Sequence, residues 1–130
     1  QMEWYKSAAS FLHTGARIAP DVGAVFGSSG RVDFWISLQP EAEAGLAEAA
    51  PGWAVELLCN GEGVAEHIAR FARDGRYASM PHSQWAVVDF YTPGRGPPAR
   101  EDSPTLQGHL FYIEFKDAFL SANVWKGTQL

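Results

Sequence analysis

The stretch WAVELLCNGEGVAEHIARFARDG, residues 53–75, followed by QWAVVDFYT, residues 84–92, decides how the chain is built. WAVELLCN is a short apolar run with strand character. In GEGVAEHIARFARDG, which follows it, Val64, Ile68 and Phe71 recur on one face at helical spacing, and Gly75 stands where a helix C-cap would. QWAVVDFYT is almost wholly apolar, as a strand covered on both faces must be. The passage from Trp53 to Tyr91 is long enough for a right-handed crossover, which makes its two strands parallel.

Upstream, MEWYKSAASFLHTG places Trp4, Ala8, Phe11 and Leu12 on one helical stripe, which predicts a first helix over residues 2–13 ending toward Gly15. DVGAVFGSSG reads as a short strand entering a Gly-Ser turn, and RVDFWISL (31–38) as the strand leaving it. Residues 39–52, with two prolines among Ala and Glu, read as a solvated loop. Downstream, PGRGPPAREDSP is a loop, and HLFYIEFKD and SANVWKG are two closing strands. The expected fold is a two- or three-layer α/β sandwich on a mixed sheet, in the order helix, three strands, helix, strand, two strands. The 130 residues are read as a single domain, 1–130, cut from a longer protein because the chain opens on Gln1.

Fifteen acidic against ten basic residues give a formal charge of −5, opposite to the footprint of proteins that grip the phosphate backbone by charge alone. Carboxylates that hold a divalent cation would escape part of that objection. One cysteine, Cys59, cannot make an internal disulfide, so an intracellular setting is the simpler expectation. No apolar run reaches the ~20 residues that span a bilayer.

The two strands on either side of the 39–52 loop each carry one acid, Asp33 and Glu56, in otherwise apolar runs. Alternation puts Val32, Phe34 and Ile36 on one face with Asp33 and Trp35 on the other, and groups Glu56 with Ala54 and Leu58. If the strands are neighbours, the two acids converge at one sheet edge. A close pair of ionised carboxylates is tolerable when a cation sits between them, and oxygen-only ligation suits Mg²⁺ or Mn²⁺.

The α-β-β-β-α-β order with acids on the second and third strands is similar to that of the PD-(D/E)XK nuclease superfamily. The pieces PDVGAVFG, GRVDFWI, WAVELLCNGEGVAEHIARF and WAVVDF resemble the restriction-endonuclease-like domain of Crinkler-type effectors and related fungal proteins. The resemblance covers residues 2–91 well and the closing strands loosely. It implies a restriction-endonuclease-like core with a mixed sheet flanked by helices, and a metal-dependent nuclease that hydrolyses DNA phosphodiesters. Asp33 then matches the metal-binding acid of the second strand and Glu56 the first acid of the E-x-K motif, with Mg²⁺ or Mn²⁺ as cofactor. The motif lysine is missing, because Leu58 occupies its position.

Two repairs suggest themselves on the helix after Glu56. Arg70, with Glu66 four residues before it, could supply a migrated cation, or the two could form a plain surface ion pair worth ~0.3–0.5 kcal/mol. His67 could serve as general base or ligand, or be a satisfied boundary histidine. Glu3 on the first helix could add a third carboxylate, as the superfamily resemblance implies.

A literal E-x-K also occurs in IEFK (113–116), preceded by Asp89 on an earlier strand. Its order is wrong for the superfamily, and Glu114 with Lys116 is read as an exposed pair on an edge strand. His13, His67, His82 and His109 lack zinc spacing, and Gly27-Ser28-Ser29-Gly30 is a turn, lacking the lysine of a phosphate loop. Cys59 is read as a small buried hydrophobe.

Two functions therefore compete. One is the nuclease just described; the other is a nuclease fold that no longer cuts and serves as a protein- or DNA-binding effector module, engaging an upstream NTPase domain or a host protein. A third, an oligomerisation domain, predicts a symmetric homodimer. The resemblance further implies a secreted effector acting in a host cell or its nucleus.

Overall fold

The computed structural model describes residues 2–12, 15–38, 52–94, 108–117 and 120–126. The element order is α1 (Met2–Phe11), β1 (Ala16–Val22), a 3₁₀ turn (Ala24–Phe26), β2 (Val32–Leu38), β3 (Gly52–Cys59), α2 (Val64–Ala69), β4 (His82–Tyr91), β5 (Leu110–Lys116) and β6 (Ser121–Lys126). The strands form one mixed sheet in sequence order, β1 to β6. The chain is thus α/β with a six-stranded mixed sheet and few helices. No helix among the described residues is long and apolar enough to cross a membrane.

The crossover read from residues 53–92 is present. Gly52 N–H donates to Pro81 C=O where β3 and β4 begin (3.3 Å), and Asn60 N–H to Phe90 C=O where they end (2.9 Å), so the strands run in one direction. The β1–β2 and β2–β3 pairs are antiparallel, β4–β5 parallel and β5–β6 antiparallel.

The chain groups into two compact units, Gln1–Val55 with Arg70–Trp85, and Glu56–Ala69 with Ala86–Leu130. In the first, Val32, Phe34, Trp35, Ala54 and Val55 are buried, so the centre of β2 is covered on both faces. Tyr5 of α1 stacks on Phe34 (6.0 Å between centroids), and Phe26 of the 3₁₀ turn packs on Trp35 (4.9 Å). The turns after α2 are bound to the β1–β2 connection: Tyr77 OH donates to Arg31 C=O (2.7 Å) and Ser28 Oγ to Arg76 C=O (2.7 Å). Gly30 lets this happen, since a Cβ there would stand 2.8 Å from the Tyr77 ring.

In the second unit Val87, Leu110 and Tyr112 lie buried along β4 and β5, with Leu58 of β3 also buried. The β5–β6 turn pivots on Asp117, whose carboxylate accepts from Ser121 Oγ (2.7 Å) and whose carbonyl accepts from Leu120 N–H (3.1 Å).

Four expectations change. The first strand is ARIAPDV, ahead of the predicted position, and Ala24–Phe26 is a 3₁₀ turn. The second helix stops at Ala69, because Phe71 leaves the helical face to stack on Trp85 (4.5 Å, 8° between planes) and meet Tyr77 edge-on (4.9 Å). β5 lies between β4 and β6, so Glu114 and Lys116 are not on an edge strand. Cys59, at an outward position of β3, is exposed. Residues 39–51 and most of the 93–104 stretch, both read as loops, lie outside the described residues.

Candidate active site

Glu56 stands in the middle of β3, between Val55 and Leu57, where alternation turns it to the same buried side as Ala54 and Leu58. It is 2% exposed. A carboxylate removed from water to that degree costs several kcal/mol unless charge-assisted hydrogen bonds replace its hydration. The residue that does so is eleven positions later: His67 Nδ1 lies 2.5 Å from Glu56 Oε2. A short, backbone-controlled return loop makes this possible. Asn60, Gly61 and Gly63 all have positive φ (59°, 76° and 74°), which reverses the chain after β3 and starts α2 at Val64. His67 N–H then donates to Gly63 C=O (3.0 Å), closing the first helical turn and fixing the imidazole's base over β3.

With Glu56 ionised the carboxylate can only accept, so Nδ1 carries the proton. Nε2 is then the ring's other nitrogen, on the side away from Glu56. The His67 side chain keeps 19% of its surface exposed, against 2% for its partner, so the ring reaches from a dry carboxylate toward solvent. An acid and a histidine so arranged can abstract a proton at Nε2 and stabilise the resulting imidazolium.

A second buried carboxylate stands in the same unit. Asp89, on β4, is 0% exposed; its Oδ1 accepts from Gly61 N–H (3.1 Å), while Oδ2 has no hydrogen-bond partner among the described residues. Tyr91, two positions on and on the same strand face, likewise has a buried hydroxyl without a partner among them. The hydroxyl lies close enough to Asp89 to feel its charge without a well-formed hydrogen bond. Burial first, then Asp89 and the neighbouring Tyr112, push the Tyr91 hydroxyl well above the usual tyrosine range, so it stays protonated. A Cβ on Gly61 would lie 3.0 Å from Tyr91 Oη and 3.8 Å from Asp89 Oδ2, so the bare Cα of Gly61 is what lets the loop sit against both groups.

The residues singled out from the sequence are thus distributed as follows. Glu56 and His67 meet in the second unit. Asp33, half-buried on β2, belongs to the first unit, as does Arg70, which follows the end of α2 and whose carbonyl accepts from Tyr77 N–H (3.0 Å). Glu3 lies on α1, also in the first unit, and its side chain is outside the described residues. Leu58, at the position where the resemblance expects lysine, is 8% exposed and part of the core. Glu114 Oε1 accepts from Gly94 N–H (3.1 Å), an exposed contact that holds the chain leaving β4. Asp89 lies outside the set expected from the sequence, although an acid inside VVDFY is the same signal that marks Asp33 and Glu56.

Among the described residues no group of three or more His, Cys, Asp or Glu side chains could hold a metal ion. Glu56 already spends one oxygen on His67. The described donors therefore do not by themselves build the Mg²⁺ or Mn²⁺ site that the resemblance implies. No family model matches the chain, and neither the curated proteins nor the solved structures give a match.

Proposed function

We propose that the chain is a nuclease-like hydrolytic domain of restriction-endonuclease type, with His67 as its proton-transfer group and Glu56 as the residue that orients it. The single observation that carries this reading is the 2.5 Å contact between His67 Nδ1 and a carboxylate only 2% exposed. Glu56 fixes the tautomer, so Nε2 accepts the proton of a water attacking phosphorus. The charge that then forms on the ring is balanced by the carboxylate behind it, and the proton passes on to the departing oxygen. The resemblance supplies DNA as the substrate class.

Incubating the chain with supercoiled plasmid, with Mg²⁺, with Mn²⁺ and with chelator, tests this. Glu56→Gln and His67→Ala should each lower the nicking rate by roughly 10²–10⁴-fold, the usual worth of a positioned general base. Nicking that survives both changes overturns the reading.

The buried Leu58 favours a second reading, the non-cutting module, because an apolar core position cannot present the amine that the E-x-K motif uses. Wild-type chain that fails to nick under every condition, yet retards DNA in a mobility-shift assay that His67→Ala leaves unchanged, would select it.

A further inference from the structure

The loop that returns His67 to Glu56 begins with Asn60-Gly61, and every polar atom of that dipeptide that could take part in its breakdown is tied down. Gly61 N–H donates to Asp89 Oδ1 (3.1 Å). Asn60 Oδ1 accepts from both the backbone N–H and the hydroxyl of Thr92 (3.0 Å each), and Asn60 Nδ2 donates to Cys59 Sγ (3.3 Å). Asn60 N–H is held by Phe90 C=O (2.9 Å). An asparagine followed by glycine is prone to attack by the glycine nitrogen on the side-chain carbonyl carbon, because glycine has no Cβ to obstruct the approach.

We propose that Asn60-Gly61 is a latent deamidation site which the end of β4 holds closed. In the reaction the Gly61 nitrogen bonds to Asn60 Cγ, the Cγ–Nδ2 bond breaks, and ammonia leaves carrying the former Gly61 amide proton. Water then opens the cyclic imide at either carbonyl, giving aspartyl or isoaspartyl at position 60. Ring closure needs the carboxamide to rotate toward the Gly61 nitrogen. The two Thr92 bonds resist that rotation, and the Asp89 bond holds the Gly61 amide proton that the reaction must release.

Cys59 and Thr92 are exposed, so the clamp sits where local opening costs least. An isoaspartyl linkage would insert one carbon into the main chain between Glu56 and His67 and so move the ring off its carboxylate. That last consequence rests on the function proposed above; the deamidation itself does not.

The test follows residue 60 by peptide mapping and mass spectrometry during incubation in mildly alkaline buffer, scoring the one-dalton gain and the isoaspartyl product. Native chain should convert at least ten times more slowly than the same chain unfolded in urea, a gap of about 1.4 kcal/mol or more. Thr92→Val, which removes one exposed donor, should speed native conversion roughly tenfold, as expected for loss of one hydrogen bond of that strength, and Thr92→Ser should restore it. Equal rates in native and unfolded chain, no conversion at residue 60 in the unfolded chain, or Thr92→Val indistinguishable from wild type would each overturn the proposal. None of these readouts depends on whether the protein cuts DNA.

Discussion

Two buried acids, Glu56 and Asp89, are handled in opposite ways. Glu56 is given an imidazole that reaches solvent; Asp89 is given one backbone amide and the neighbourhood of a tyrosine that keeps its proton. The buried Tyr91 hydroxyl has no hydrogen-bond partner among the described residues, so Tyr91→Phe should not weaken the fold and should raise the unfolding free energy by up to about 1 kcal/mol in a urea titration at neutral pH. The pH dependence carries a definite sign. The Tyr91 hydroxyl has its folded pKa raised above the unfolded value, so its ionisation leaves stability untouched below about pH 10 and lowers it as the pH climbs toward the folded value. Wild-type chain should therefore soften on the alkaline side more steeply than Tyr91→Phe; parallel curves above pH 10 would show the hydroxyl to be ordinary.

At the level of elements, the β1–β2 hairpin depends on a close backbone approach. A Cβ on Gly23 would stand 2.1 Å from Gly30 C=O and 2.9 Å from Arg31 Cα, both main-chain atoms that cannot swing aside. Gly23→Ala should cost about 1–3 kcal/mol, the range for forced overpacking, measured as a drop in urea midpoint. The elements also show where sequence reading succeeds. β3, α2 and β4 were legible because the apolar period changes from strand to helix and back within residues 53–92. β1 was missed because Pro20 and Asp21 interrupt it; proline is admitted there because β1 is the first strand of the sheet, with a partner on one side. The end of α2 was missed for a different reason. Helical spacing carries on through Phe71, but that ring packs on Trp85 and Tyr77, a tertiary contact that no local pattern displays.

For the whole molecule, the site was half legible. Glu56 and His67 could be named from an acid in an apolar run and a histidine on the next helix, but their 2.5 Å contact depends on three positive φ angles in the loop. Asp89 is the less legible acid, because the E-x-K spelling of IEFK draws it toward Glu114 and Lys116. The formal charge of −5 also bears on the proposed function: any hold on DNA must come from local features, since the molecule as a whole repels the phosphate backbone.

The spacing of the Glu56–His67 contact has a kinetic side. Eleven residues separate the partners, and closing so short a loop costs little chain entropy, whereas the β4–β5 pair must first bring together strands flanking a long connection. The loop that makes the pair should therefore form early, ahead of the closing strands. In stopped-flow refolding, Glu56→Gln should slow folding by most of its equilibrium cost, while Leu110→Ala on the buried face of β5 should act on unfolding alone; the reverse pattern would place the site among the last contacts made.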